Sequence, residues 1–171
     1  MPPGAKPEPG LRSREARLLP AEREILESVY AGELDLEPIR VIFGGILTAF
    51  GYSRTIGNTI ALVERYRADP TSLRNRCLLV HEAAHVWQNQ VLGKRYMAGA
   101  VWEHLTLADP YHFELFPERP FLSYGYEAQA SLIEELYRRR SLGSEDAVTA
   151  RLEQLREEML AVRAQRRGRH A

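Results

Sequence analysis

Apolar residues recur through residues 73–91 at alternating steps of four and three. Leu73, Cys77, Val80, Ala84, Trp87 and Val91 fall on one stripe of a 3.6-residue helix. Asp69-Pro70-Thr71-Ser72 ahead of it offers N-cap residues and a proline suited to a first turn, and Gly93 stands where a left-handed stop is expected. An earlier helix is predicted from Leu19-Pro20, with Ile25, Leu26, Val29 and Tyr30 facing inward and Gly32 ending it. A third runs from Glu127, where Ala128, Ala130, Leu132, Ile133, Leu136 and Tyr137 keep helical period. A last one has Ser144 as its N-cap and a seam of Val148, Leu152, Leu155, Met159 and Val162. Two heptads are too short to hold a coiled coil alone, so this seam is expected to pack within its own chain, with pairing to another copy as the alternative.

Between the first two helices the period changes to two. Ile39, Val41 and Phe43 alternate as in a half-buried strand, and Gly44-Gly45 marks a turn. Residues 46–50 fit either strand or loop. Residues 55–63 read as a second strand whose Gly57 suggests a bulge or a close backbone approach. Lying just before the long helix, this strand is either an ordinary inner strand or an edge open to an extended peptide. Residues 94–120 mix aromatic, histidine and proline positions, with residues 97–102 forming a short helix or a loop. The expectation is an α+β domain.

Composition narrows the classes. A chain of 171 residues with 44% hydrophobic and 27% charged positions is long enough for one proper core. Residues 1–17, rich in proline, glycine and charge, read as a flexible leader, residues 18–143 as the domain and residues 144–171 as an amphipathic helix with a basic tail. The formal charge is zero, which argues against nucleic acid and membrane partners. No window approaches a transmembrane span and no secretory signal is visible, so residence in the cytoplasm is the default, with signal-independent export as the alternative. Cys77, the one cysteine, excludes an intrachain disulfide and reads as a buried, inert thiol.

Chemistry enters with His81-Glu82-Ala83-Ala84-His85 on the long helix. Residues four apart share a helix face, so two imidazoles can reach one metal ion with Glu82 beside them. That H-E-x-x-H spacing suits Zn²⁺ with an open position, where the metal acidifies water and Glu82 serves as general base. A third ligand is needed. Glu127, 42 residues beyond His85, is the first choice, although an acidic residue at a helix start also serves the helix dipole. Glu103, His104, Asp109 and His112 are rival ligands, while Glu134 and Glu135 read as solvated or paired with Arg138-Arg139-Arg140.

His81-Glu82-Ala83-Ala84-His85-Val86-Trp87-Gln88, followed by Phe121 and by Tyr124-Gly125-Tyr126-Glu127-Ala128-Gln129-Ala130, resembles the zincin-type, Vgr-related bacterial proteins and, more broadly, the Glu-zincin metallopeptidases. The similarity spans residues 19–140. It implies a zincin-like fold with His81, His85 and Glu127 as zinc ligands, Glu82 as general base, and Tyr126 or Tyr124 as an oxyanion donor, with His112 a weaker candidate. It also implies a peptide or protein substrate and the company of type VI secretion components. The expected reaction is zinc-assisted hydrolysis of a peptide or amide bond. The alternative is a non-catalytic binding or secretion-associated module with a structural metal or none, and an oligomer through residues 144–162 stays open.

Overall fold

Helix α1 (Pro20–Tyr30) starts where proline is tolerated, and the Leu19 amide donates to Glu22 Oε2 at 2.8 Å across the first turn. Leu26, Val29 and Tyr30 are buried along one face. The chain leaves through left-handed Ala31 and Gly32 (φ 48° and 79°), as the sequence predicts for this stop. The computed structural model describes residues 14–48, 51–93, 96, 99, 109 and 111–168.

Four strands, β1 (Arg14–Ala16), β2 (Arg40–Phe43), β3 (Arg54–Ile56) and β4 (Thr59–Leu62), form one sheet in the order β1-β2-β4-β3. β2 and β4 are parallel, and the outer pairs are antiparallel. β1 lies inside the predicted leader, so residues 14–16 belong to the sheet. A three-residue strand is too short to show alternation. It is held by pairing with β2 and by a two-pronged contact in which Arg40 donates to both Glu15 oxygens at 2.8 and 2.7 Å.

The predicted strand over residues 55–63 is instead a hairpin. Ile56 pairs with Thr59, leaving Gly57-Asn58 as a two-residue loop, and Gly57 at φ +60° takes the first central position of a type II′ turn. Gly57 is therefore a turn and not a bulge, and β3 becomes an edge of the sheet. The ambiguous stretch after Gly45 is a 3-10 turn over Ile46–Thr48.

Helix α2 (Leu73–Leu92) begins at Ser72, whose Oγ accepts the Asn75 amide at 3.3 Å. Pro70 stands in the turn before it and not in its first turn. The helix is buried far beyond one stripe: Leu79, Val80, Ala83, Val86 and Trp87 are all fully enclosed. It packs on β3 and β4, on α1 and on a third helix, α3 (Tyr126–Ser141). A helix surrounded in this way carries its polar residues into the interior, where each needs a partner. Tyr30 from α1 donates to the carbonyl of Val80 at 2.8 Å and so pins the turn that carries His81. Cys77 is buried, and burial together with the Glu134 charge pushes its thiol up to about 11, in keeping with an inert role.

Helix α4 (Ala147–Gly168) is capped by Asp146, which accepts the Thr149 amide at 2.8 Å, and not by Ser144. Leu152, Leu155, Met159 and Val162 join the same core as α2 and α3, whereas Val148 is exposed. The seam is thus used within the chain. Arg156, buried on α4, donates to the carbonyls of Val29 and Ser28 at 2.6 and 3.1 Å, and Arg163 donates to the Glu33 carbonyl at 2.7 Å. The last carbonyls of a helix lack partners of their own, so α4 closes the end of α1. Arg163 therefore belongs to the fold. No helix among the described residues is long and apolar enough to cross a membrane.

Candidate metal centre

His81 and His85 stand one turn apart on α2, and Glu127 stands in the first turn of α3, entered from Gly125. Ala84 on one helix and Ala130 on the other, both buried and on the faces that carry the ligands, let the two axes approach. As a result His81 Nε2 lies 3.4 Å and His85 Nε2 3.2 Å from the same oxygen, Glu127 Oε2. All three side chains are buried, and their ligand atoms lie within 4.8 Å of one another.

These separations test whether a metal ion fits. Zn–N and Zn–O bonds of about 2.0–2.1 Å set the donor–donor edge of a regular tetrahedron at about 3.3–3.4 Å. The two nitrogen–oxygen edges, 3.4 and 3.2 Å, lie within about 0.2 Å of it. Two imidazoles and a carboxylate are also a donor set that zinc accepts, and three protein donors are the number typical of catalytic zinc, whereas structural sites have four. The buried His81, His85 and Glu127 group can therefore hold a metal ion. Nitrogen and oxygen donors of this kind also suit other divalent transition metals.

The outer nitrogens fix which imidazole atoms face the cluster. His81 Nδ1 is 3.0 Å from Glu134 Oε2, and His85 Nδ1 is 2.9 Å from Gln88 Oε1. Gln88 is oriented in turn, because its amide nitrogen donates to the Tyr126 carbonyl at 2.9 Å and to Gln129 Oε1 at 3.1 Å. Gln129 then donates to the Tyr124 carbonyl at 2.8 Å. With acceptors at both Nδ1 positions, each ring can donate there and leave Nε2 facing the cluster, as metal-binding histidines do; a metal ion would take the place of the proton that His81 Nε2 shares with Glu127. Glu134, half-buried, thus meets His81 and leaves the arginine run to its neighbour. Glu135 takes that role, accepting from Arg138 and Arg139. The sequence held a cue for Glu134: seven residues past Glu127 is two helical turns, on the same face.

Glu82 is buried beside the histidines, and Thr55 Oγ1 lies 2.8 Å from its Oε2 and 3.0 Å from its carbonyl oxygen. Burial raises this carboxyl above its ordinary value, against the lowering effect of His81, His85 and Thr55. A raised carboxyl is suited to taking and returning a proton. β3 thereby anchors the side chain that the motif places next to the ligands.

Without metal the charges answer one another. Burial opposes charge on His81, but its hydrogen bonds to Glu127 and Glu134 and the charges of Glu82 and Glu134 outweigh it and raise the group to about 10. Burial likewise pushes Glu127 up, and the hydrogen bonds from His81 and His85 outweigh it and hold the carboxyl well below the usual carboxylate range. The His81 contribution to stability is complete below its ordinary 6.5 and is lost as pH rises through about 10. That of Glu127 is complete above 4.5 and is lost as pH falls through its depressed value. Zinc must expel the His81 proton, so its affinity is expected to rise roughly tenfold per pH unit for each proton released. Calorimetric titration with Zn²⁺ between about pH 6 and 8, in buffers of differing ionisation enthalpy, checks this. A flat affinity with no proton release contradicts it.

The remaining candidates divide. Glu103 and His104 lie outside the described residues, as do residues 97–98 and 100–102. Asp109 is exposed and accepts the Tyr111 amide at 3.1 Å, and His112 is exposed; neither belongs to the metal group. Tyr124 is buried, and its hydroxyl lies 3.3 Å from the Glu114 carbonyl and 3.4 Å from the Phe116 amide, under Arg119. It holds the loop at Glu114 and Phe116. The Tyr126 ring packs edge-on against Tyr96 at 5.9 Å and fills the space over Gly99, where a Cβ would meet it at 2.3 Å. Tyr111 was not singled out by the sequence pattern. Its ring lies 5.9 Å from that of His81, and burial together with the charges of Glu127 and Glu82 raises its phenol to about 12.

Comparison of the chain with protein-family models, with curated proteins and with solved structures finds no match.

Proposed function

We propose that this protein is a zinc-dependent hydrolase, a metallopeptidase of zincin-like architecture that cleaves peptide or amide bonds. The observation that carries the proposal is the convergence of His81 Nε2 and His85 Nε2 on one oxygen of Glu127 at 3.4 and 3.2 Å, with Glu82 alongside. Bound Zn²⁺ supplies Lewis acidity, bringing the pKa of water to about 7 and polarising the substrate carbonyl.

The chain's own groups do the rest. Glu82 accepts the proton of the attacking water as the carbon–oxygen bond forms. It then returns that proton to the departing nitrogen as the carbon–nitrogen bond breaks, leaving a carboxylic acid and an amine. Thr55 holds Glu82 Oε2 and so limits the rotation of the carboxylate. Glu134 and Gln88 keep the imidazoles turned inward. β3 stands at the end of the strand order, and its Thr55 touches Glu82, so an extended peptide added to this edge would run along the site.

The test is incubation of the zinc-loaded protein with a mixture of peptides, with cleavage followed by mass spectrometry and Glu82→Gln as the control. New peptide termini that depend on Glu82 support the proposal. Stoichiometric zinc with no cleavage of any peptide would instead favour a binding module on the same scaffold.

A further inference from the structure

Gln88 on α2 and Gln129 on α3 are 0% and 2% exposed, and neither is one of the three metal ligands. Burying an amide side chain is costly unless its donors and acceptor find partners. Here the partners admit one arrangement. The carbonyls of Tyr124 and Tyr126 accept hydrogen bonds and cannot donate them. Gln129 therefore points its nitrogen at the Tyr124 carbonyl, 2.8 Å away, and Gln88 points its nitrogen at the Tyr126 carbonyl, 2.9 Å away. The second Gln88 proton goes to Gln129 Oε1 at 3.1 Å, which leaves Gln88 Oε1 to face His85 Nδ1 at 2.9 Å.

Turning the Gln88 amide over would press its oxygen against the Tyr126 carbonyl and Gln129 Oε1, and would aim an N–H at His85 Nδ1. A neutral imidazole would then keep its one proton on Nε2, the atom that faces Glu127 and that an ion needs bare. The two carbonyls thus select the nitrogen of His85 that is open to a metal. They flank Gly125, where the chain enters α3, and Glu127 follows in the first turn. One short stretch, residues 124–129, presents the third ligand and orients the second. A carboxylate would serve His85 equally well as an acceptor, as Glu134 does for His81 at 3.0 Å. What the amide adds is a pair of donors that take their direction from α3.

From this one-way chain of hydrogen bonds we infer that Gln88 is a positioning residue of the metal centre: it carries the fixed polarity of the α3 entry to His85 and holds Nε2 open for the ion. Gln129 backs it. The inference rests on the metal centre of the proposed function and not on its hydrolytic step, so metal binding alone can test it.

Zn²⁺ affinity, measured by calorimetry, is expected to fall about 10–100-fold in Gln88→Leu, the loss typical of outer partners of metal ligands. Gln88→Glu keeps an acceptor for His85 Nδ1 and gives up the donors to Tyr126 and Gln129. It is expected to bind zinc with nearly the wild-type affinity, even though its link to α3 is lost. The proton resonance of His85 Nδ1–H in the zinc-loaded protein should persist in Gln88→Glu and broaden away through exchange with water in Gln88→Leu. Should Gln88→Leu fail to fold, the double variant Gln88→Leu/Gln129→Leu replaces both partners at once and leaves no amide unmatched. Equal loss of zinc in Gln88→Leu and Gln88→Glu overturns the inference, since it makes Gln88 a tie between two helices and nothing more. Wild-type affinity in Gln88→Leu overturns it as well. A wild-type protein that binds no zinc sinks the metal centre and this inference together. The predicted order of affinities in a protein that cleaves no peptide supports the inference and removes only the hydrolase reading.

Discussion

Replacing Glu82 by glutamine is expected to lower the hydrolytic rate by about 10²–10⁴-fold while zinc stays at the wild-type content. The amide keeps the size of the carboxylate and a polar contact for Thr55 Oγ1, which lies 2.8 Å from Oε2, so packing around α2 should persist. It cannot take a proton at working pH. Metal content by elemental analysis and turnover on the same preparation separate the two effects. Turnover retained by Glu82→Gln would remove the proton carrier from the account. Loss of zinc would show that Glu82 supports the metal and that its role is not confined to the water.

The second large effect is at Glu127. Its Oε2 is the shared third corner of the cluster, and no other described His, Cys, Asp or Glu joins this group of three. Glu127→Ala is expected to weaken zinc binding by more than about 10²-fold, beyond the 10–100-fold that outer hydrogen-bond partners of ligands command. Alanine also leaves the protonated His81 with one carboxylate partner, Glu134, where it had two. Removing one partner of a buried ion pair is destabilising by about 3–5 kcal/mol, so a lower unfolding midpoint of the metal-free variant is part of the expectation. Glu127→Gln restores bulk and hydrogen bonding without the charge. A Gln variant that folds like the wild type but binds zinc poorly isolates the ligand role. Zinc affinity unchanged in both variants would contradict it.

Much of the site was legible before any coordinates. The 3.6-residue period placed His81 and His85 on one helix face, and the small residues of the following helix marked where it could approach. What periodicity does not carry is which carboxylate arrives where. Glu127 and Glu134 are equally acidic in sequence, yet the first faces both imidazoles and the second only the outer nitrogen of His81. Gly57 shows a different limit. A Gly-Asn pair between two β-rich runs is a hairpin signal, but the apolar residues on either side mask it as one strand. Thr55 left no cue, since a threonine on a short strand meets its partner, Glu82, only through the fold. The α+β class was readable. The edge position of β3 was not, because strand order is a tertiary property.

The central claim is that two imidazoles and one carboxylate share a single ion. X-ray absorption at the zinc edge, on protein loaded with one equivalent of Zn²⁺, tests it most directly. A four-coordinate ion with two imidazole nitrogens at about 2.0 Å, light oxygen donors completing the shell and no sulfur is the predicted result, with loss of one oxygen donor or of the ion itself in Glu127→Ala. Failure to retain zinc, or an ion surrounded by six oxygens with no imidazole scattering, would contradict it.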